Sequence, residues 1–326
     1  MSKKNITISI LIPVYNVEQY LEKCLDSILS QIDRRANIIV MNDASTDSSL
    51  EIAKRYESNN QIQVIDAPYN RGLSGTRNAM MELATSDYIW FIDSDDLMYE
   101  DVYQTVMDRL ENLNIDVLCA DYVSLRGDKE VRKKAFVGAA NKVFFNKNNN
   151  SFIDNIIKNN SNHVWNKIFR KKLIDDIKFK EGINFEDIYY MTDISDKEFT
   201  YSYLKKAIIK YRERDGSIVK TLNKKYIDDY LGAFIYRMKH YKVLENGASG
   251  YNYLLYKSFK RYVGLINNIT DLDQLDLLEY TYNKYNSYFL NIFDEVYKCL
   301  SIRQKVILKI KSKSLSKNHK LLKSRL

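Results

Sequence analysis

The chain has 326 residues, of which 45% are hydrophobic and 28% charged, enough to bury a sizeable core and to carry an appendage. Ten glycines and two prolines exclude collagen-like, linker-rich and low-complexity character. The formal charge of +8 sits at one end: residues 300–326 hold nine basic side chains (Arg303, Lys305, Lys309, Lys311, Lys313, Lys317, Lys320, Lys323 and Arg325) and no acid. The body is therefore nearly neutral, and the tail suits an anionic lipid surface or nucleic acid.

Cys24, Cys119 and Cys299 are far apart and form no CxxC pair, and only three histidines are present, so a disulfide framework or structural zinc site lacks ligands. The chain opens without the pattern of a secretion signal, and the expected setting is a reducing cytosol. Apolar runs such as Tyr88 to Ile92 fall far short of the roughly 20 residues that cross a bilayer.

Residues 6–122 alternate apolar, strand-like runs with segments of helical period, the pattern of βαβ units on a largely parallel sheet. Strands are expected near Ile8 to Val14, Asn37 to Met41, Gln61 to Ile65, Tyr88 to Ile92 and Asp116 to Ala120. Val17, Leu21, Leu25 and Ile28 recur at helical spacing, so a helix from Val17 to Ser30 lays one stripe on the sheet, with Cys24 beside it as core. From Phe136 to Asn162 the Asn- and Lys-rich text (NKVFFNKNNN, IIKNNSN) favours loops and marks a boundary or surface excursion. Polar motifs continue to about Thr221, and from Tyr226 the helical spacing of Tyr, Leu, Ile and Lys indicates a helical appendage. The expected fold class is α/β: a mostly parallel sheet flanked by helices, Rossmann-like, with a C-terminal helical region. The expected domains are 1–221, split into halves 1–125 and 126–221, and 222–326 with the basic tail 300–326.

In an open parallel sheet, ligands bind outside the carboxyl ends of the strands. The turns there read Pro13-Val14-Tyr15-Asn16, Asn42-Asp43-Ala44-Ser45-Thr46-Asp47 and Asp93-Ser94-Asp95-Asp96. Three carboxylates in four residues repel unless a cation lies between them, and hard oxygen ligands suit Mg²⁺ or Mn²⁺ bridging to a diphosphate. The motif reads equally as a solvated acidic turn, with Asp96 capping a helix from near Tyr99. Asp43, ending a buried strand, can accept a proton from a nucleobase, and Tyr15 can stack on its face. For Asp47 the local reading is preferred: Ser45 or Thr46 caps a helix running to Tyr56, with Asp47 in its first turn. The loop NRGLSGTRN opens a helix with Arg77 in the first turn, where a cation opposes the dipole, so a bound anion or a buried carboxylate is the expected partner.

ISILIPVYNVEQYLEKCLDSILSQ, IIVMNDASTDSS, NRGLSGTRNAM and YIWFIDSDD, in that order, resemble the donor half of family 2 glycosyltransferases, inverting enzymes with the A-type nucleotide-sugar-binding fold. The likeness is strong over the first third and continues more weakly through HVWNKIFRKKLI, FEDIYY and YRERDGSI to about residue 221. The resemblance implies that Pro13 and Tyr15 flank the uracil, Asp43 hydrogen-bonds it, and Arg77 lies near the nucleotide and its phosphates. It places Asp95 on the metal and Asp93 toward ribose or metal, with Mn²⁺ or Mg²⁺ as cofactor. In FEDIYY it makes Asp187 the general base, with Glu186 the second candidate. Asn184 capping a helix that holds Asp187 is the local alternative. Trp165 reads as core or as an aromatic near the acceptor, His163 as a loop residue rather than a metal ligand, and Arg212 and Arg214 as a grip on the diphosphate or a solvated face.

The expectation is thus a metal-dependent hexosyltransferase moving a sugar from a UDP-sugar to a hydroxyl of a glycan or lipid-linked glycan acceptor in bacterial surface-polysaccharide synthesis. It would be cytoplasmic, peripheral on the inner membrane face through the tail, with no nucleic acid partner. A NAD-binding Rossmann enzyme needs a Gly-rich turn after the first strand, and PVYNVEQ has none. The alternatives kept are a nucleotidyltransferase acting on a nucleoside triphosphate, and a non-catalytic lipid- or nucleic-acid-binding protein using the tail. Ile302, Val306 and Ile310 make an apolar stripe there, which Lys309 and Lys313 interrupt.

Overall fold

The computed structural model describes residues 5–127, 129–136, 140–147, 151–213 and 223–242, with single helical positions between 254 and 284. Cys299, Arg214 and the tail 300–326 lie outside the described residues. The chain divides into two compact units, Met1–Ser217 and Ile218–Leu326.

The first unit is built on one sheet. Strands β1 (Ile8–Val14), β2 (Ala36–Asn42), β3 (Ile62–Asp66) and β4 (Tyr88–Phe91) run parallel, in the order β3-β2-β1-β4. β1 reads ISILIPV and is buried at every position, as a strand covered on both faces must be. Helices connect these strands: α1 (Leu21–Leu29), α2 (Ser49–Lys54) and α3 (Gly72–Leu83). On one face Ile8, Ile10 and Ile12 pack with Leu21, Leu25 and Ile28 of α1 and with Val106, Met107 and Leu110 of α4 (Tyr103–Leu113). On the other, Phe91 meets Phe179 and Tyr190 edge-on, at 5.5 and 6.5 Å between ring centroids.

The chain then crosses to the far side of β4, and the sheet becomes mixed. β9 (Lys167–Arg170) lies antiparallel between β4 and β6 (Val117–Arg126), β10 (Phe199–Arg212) runs parallel to β6, and β5 (Leu97–Met98) pairs antiparallel with β10. β7 (Lys129–Lys133) and β8 (Val143–Asn146) pair antiparallel with β6 and β10. This is the expected α/β sheet flanked by helices, with ten strands rather than a mostly parallel set.

The stretch 136–162 is not the expected loop or boundary. It contributes β8 and α5 (Ser151–Asn159), because Phe144 stacks on Tyr201 of β10 at 5.3 Å and Phe152 packs edge-on against Phe199 and Tyr201 at 4.9 and 5.1 Å. Two short helices complete the unit: α6 (Lys171–Ile174) and α7 (Glu186–Ser195).

In the second unit α8 (Lys224–Lys242) is helical, with Ile227, Leu231, Ala233, Phe234 and Met238 buried. Tyr280 donates to Asp228 Oδ2 at 2.6 Å. None of the described helices is long and apolar enough to cross a membrane.

Candidate active site

Because β2 and β3 lie on one side of β1 and β4 on the other, the sheet reverses direction of travel between β1 and β4, where ligands settle in such folds. Val14 is in register with Asn42, and the Asp43 N–H donates to the Val14 carbonyl at 2.8 Å, so the first two turns leave the same edge. They are also stitched by side chains: the Asn16 N–H donates to Ser45 Oγ at 3.1 Å and the Thr46 N–H to Asn16 Oδ1 at 2.8 Å. Ile92 N–H donates to the Leu11 carbonyl, which brings the Asp93 turn to this edge as well. Tyr15 is exposed there (49%), its ring free of β1's packing, while Pro13 is buried in the strand.

Asp43 is only 3% exposed and spends both oxygens on backbone: Arg71 N–H donates to Oδ1 at 2.7 Å and Gly72 N–H to Oδ2 at 2.9 Å. The carboxylate thereby caps the first turn of α3, where the dipole favours it. Gly72 has φ +72°, a conformation open to glycine at little cost. Asp47 plays the local part expected, but with other partners: α2 begins at Ser49, and the N–H groups of Ser49 and Glu18 donate to Asp47 at 2.9 and 3.0 Å. Ser45 and Thr46 bond to Asn16 instead of capping.

The Asp93-Ser94-Asp95-Asp96 turn follows β4. Asp96 does not cap a helix near Tyr99, since β5 intervenes and α4 starts at Tyr103. It is fully buried, and its Oδ1 accepts the Arg212 N–H at 2.8 Å. Arg212 is no solvated face either: its Nε–H donates to the Asp95 carbonyl at 3.0 Å and its guanidinium lies over the Tyr20 ring at 5.1 Å. Beneath the turn, Cys24 is core as expected, with Sγ 3.8 Å from the Asp93 carbonyl. Its thiol is pushed well above the ordinary range by burial and by the three aspartates.

Arg77 lies in the second turn of α3, not the first, because the helix already begins at Gly72. It is 1% exposed, and its partners are carboxylates, as the local argument called for, though partly rather than fully buried ones. Nη2 donates to Asp93 Oδ1 at 2.9 Å, and Nη1 donates to Glu186 Oε1 at 2.9 Å and Asp187 Oδ1 at 3.3 Å. Burial works against the guanidinium charge, but the three carboxylates hold it firmly protonated. Its Nε–H is buried without a hydrogen-bond partner.

Glu186 and Asp187 open α7, and Asn184 is not the cap: Phe185 takes that place with φ +64°, a left-handed conformation unusual for an aromatic residue. Asp187 is half-buried; loss of solvent raises its carboxyl to about 7, against the pull of Arg77 and with Glu186 and Asp93 adding to the rise. A carboxylate near 7 is matched to proton abstraction at neutral pH.

The segment 161–167 was legible only in part. Trp165 is core (3% exposed), stacked between His163 at 4.6 Å and Tyr211 at 5.4 Å, with Tyr122 edge-on at 4.7 Å. His163 stays neutral, lowered to about 3 by burial and by the Lys167 and Arg77 charges, which does not suit it to proton transfer. Lys167 is fully buried, yet its Nζ donates to the Ser161 carbonyl, the His163 carbonyl and Asn166 Oδ1 at 2.8, 2.7 and 2.8 Å. Its role as a knot for this loop has no local sequence signal beyond an unpaired lysine entering an apolar strand.

The glycosyl transferase family 2 model matches residues 9–178. The chain belongs to that family. It is a transferase by that membership. Among curated relatives it is 30% identical to glycosyltransferase GlyA of Streptococcus pneumoniae over 71% of this chain and 34% of GlyA. It is 28% identical to the uncharacterized glycosyltransferase EpsJ of Bacillus subtilis over 69% of this chain and 66% of EpsJ. The chain thus spans about a third of GlyA and just under two thirds of EpsJ. A 93-residue stretch is 43% identical to the poly(ribitol-phosphate) beta-glucosyltransferase of Bacillus spizizenii, covering 27% of this chain and 15% of that one. The fold is that of S. aureus TarS, whose crystal structure in complex with UDP-GlcNAc aligns with a TM-score of 0.76 at 20% identity, over 98% of this chain and 91% of that one. The fold is therefore the A-type one that the sequence motifs implied.

Among the described residues no group of three or more His, Cys, Asp or Glu side chains forms a metal cage of its own. Asp93 and Asp95 nevertheless fit a Mg²⁺ or Mn²⁺ that takes its remaining ligands from a diphosphate and water, since such ions are held by one or two carboxylates plus substrate oxygens. A solved structure of similar fold, mannosyltransferase PcManGT from Pyrobaculum calidifontis, is in complex with GDP-Man and Mn²⁺ (TM-score 0.51, 13% identity, over 94% of this chain and 84% of that one).

Proposed function

We propose that the chain is a metal-dependent inverting glycosyltransferase which moves a sugar from a UDP-sugar to a hydroxyl of a glycan or lipid-linked glycan in bacterial surface-polysaccharide synthesis. The observation that carries this reading is the pairing, across Arg77, of a donor-side carboxylate (Asp93) with an acceptor-side carboxylate raised to about 7 (Asp187). Tyr15 and Pro13 flank the base, and Asp43 receives it beside the α3 terminus that it caps. Asp93 and Asp95 hold Mn²⁺ or Mg²⁺, which when bound neutralises the departing diphosphate.

Inversion needs one in-line displacement. The acceptor oxygen bonds to the anomeric carbon, the bond from that carbon to the UDP oxygen breaks, and the hydroxyl proton passes to Asp187. Holding donor and acceptor in line supplies much of the rate. A relative named as a poly(ribitol-phosphate) beta-glucosyltransferase, and a fold neighbour crystallised with UDP-GlcNAc, support the donor class and the setting. The basic tail is the proposed contact with an anionic membrane surface. Thermal-shift measurements with UDP, GDP and CMP sugars, each with and without Mn²⁺, test the reading: stabilisation by UDP-sugars that needs Mn²⁺ is expected, and stabilisation by nucleoside triphosphates alone favours the nucleotidyltransferase.

A further inference from the structure

Resting on that reading, we propose that Arg77 is a positioning residue, which locks the acceptor-side pair Glu186 and Asp187 in place against donor-side Asp93, and is not a ligand of the donor's phosphates.

The geometry is specific. One guanidinium uses Nη2 for Asp93 and Nη1 for both Glu186 and Asp187, within 2.9 to 3.3 Å, and so joins residues 109 and 110 positions apart in the chain. Its fork fits more than one carboxylate at once, which a point charge does not. The guanidinium is also held on its face. Its guanidinium lies over the Phe179 ring at 5.2 Å, and Asn78, one residue on, grips Phe179 by both backbone groups, donating to its carbonyl at 2.9 Å and accepting its N–H at 2.8 Å. Tightness continues two residues back, where a Cβ on Gly75 would meet Arg71 Cβ at 2.9 Å.

Charge gives the same answer. One buried cation faces three carboxylates, so its attraction for an incoming diphosphate is cancelled before a donor arrives. To reach a phosphate the buried cation would have to abandon its ion pairs with three partly buried carboxylates, which is costly. What the cation does achieve is to let Asp187 and Asp93 approach one another, and it steadies the first turn of α7, whose Phe185 backbone sits in a left-handed conformation. A displacement of about 1 Å at a reacting group costs on the order of 100-fold in rate.

The test uses the full chain as Arg77→Lys and Arg77→Gln, with folding checked by circular dichroism. UDP affinity is measured calorimetrically with Mn²⁺ present, and kcat and KM by UDP release from the UDP-sugar. The expected result is UDP affinity within about threefold of wild type, kcat lower by about 100-fold, and partial recovery of kcat in Arg77→Lys relative to Arg77→Gln. UDP affinity weakened by about tenfold or more, with saturating kcat near wild type, overturns the assignment. Should Arg77→Gln not fold, Arg77→Lys carries the comparison, because it keeps a buried cation. Wild-type turnover decides the glycosyltransferase reading by itself, whereas UDP affinity decides the role of Arg77 without any turnover.

Discussion

Arg212 donates its backbone N–H to Asp96 Oδ1 at 2.8 Å, which fastens the last residue of β10 to the turn that carries Asp93 and Asp95. The bond joins residues 116 apart and is reinforced by Arg212 Nε–H on the Asp95 carbonyl. The last long strand of the sheet therefore helps set the shape of the acidic turn that follows β4.

Asp96→Ala removes that acceptor and leaves the Arg212 N–H unsatisfied. A stability loss of about 2 kcal/mol is expected from urea unfolding, together with weaker Mn²⁺ support of UDP binding. Unchanged Mn²⁺ dependence in a folded variant would show that the turn keeps its shape without β10.

Asp43→Ala strips both N–H groups of Arg71 and Gly72 of their acceptor at the start of α3. The expected cost is about 1–2 kcal/mol, with loss of UDP binding, since the loop beside the proposed base site is released. Asp43→Asn keeps one acceptor oxygen and should fall between the two. Calorimetric titration with UDP checks both.

Proton abstraction by Asp187 requires its ionised form, and burial raises this carboxyl to about 7 from 3.8. The rate of transfer should therefore fall as pH drops through about 7, where a surface carboxylate would leave it flat to well below pH 5. Stability has the opposite sign: between 3.8 and about 7 the folded chain keeps a proton that the unfolded chain releases, so stability declines as pH rises through that window. A pH profile of kcat/KM checks the first, and urea midpoints across the same range the second.

Lys167→Met keeps the volume and deletes the four Nζ bonds that knot residues 161–166. Because the Ser161 and His163 carbonyls then lack a partner, about 2–4 kcal/mol of stability should be lost. Trp165, stacked on His163 and Tyr211, supplies the fluorescence signal for that unfolding curve. A loss under about 0.5 kcal/mol, the range of ordinary surface changes, would mean that the loop is held by other contacts.

The first third of the chain was legible because its signals are local. β1 occupies Ile8–Val14 as its apolar run implies, and Val17, Leu21, Leu25 and Ile28 are all buried. The helices begin later than their patterns suggest, at Leu21 and Ser49, since Asp47 accepts the Glu18 N–H ahead of α1 and Asn16 accepts the Thr46 N–H ahead of α2, holding both segments in turn conformations. Residues 136–162 misled because, Asn146 apart, the described Asn and Lys side chains there are at least partly exposed, while the few aromatic residues find partners on β10, some fifty positions away. The same holds at the site. That Arg77 needs a buried anion follows from its helix, but that the anions are Asp93, Glu186 and Asp187 depends on a sheet joining distant segments.

Release of UDP from a panel of UDP-sugars, with Mn²⁺ and without, by wild type and Asp95→Ala, bears most directly on the account. It predicts Mn²⁺-dependent release by wild type and a fall of about 100-fold or more in Asp95→Ala, as expected when charge stabilisation of a leaving group is removed. Release that is indifferent to Mn²⁺ and undiminished in Asp95→Ala would contradict it.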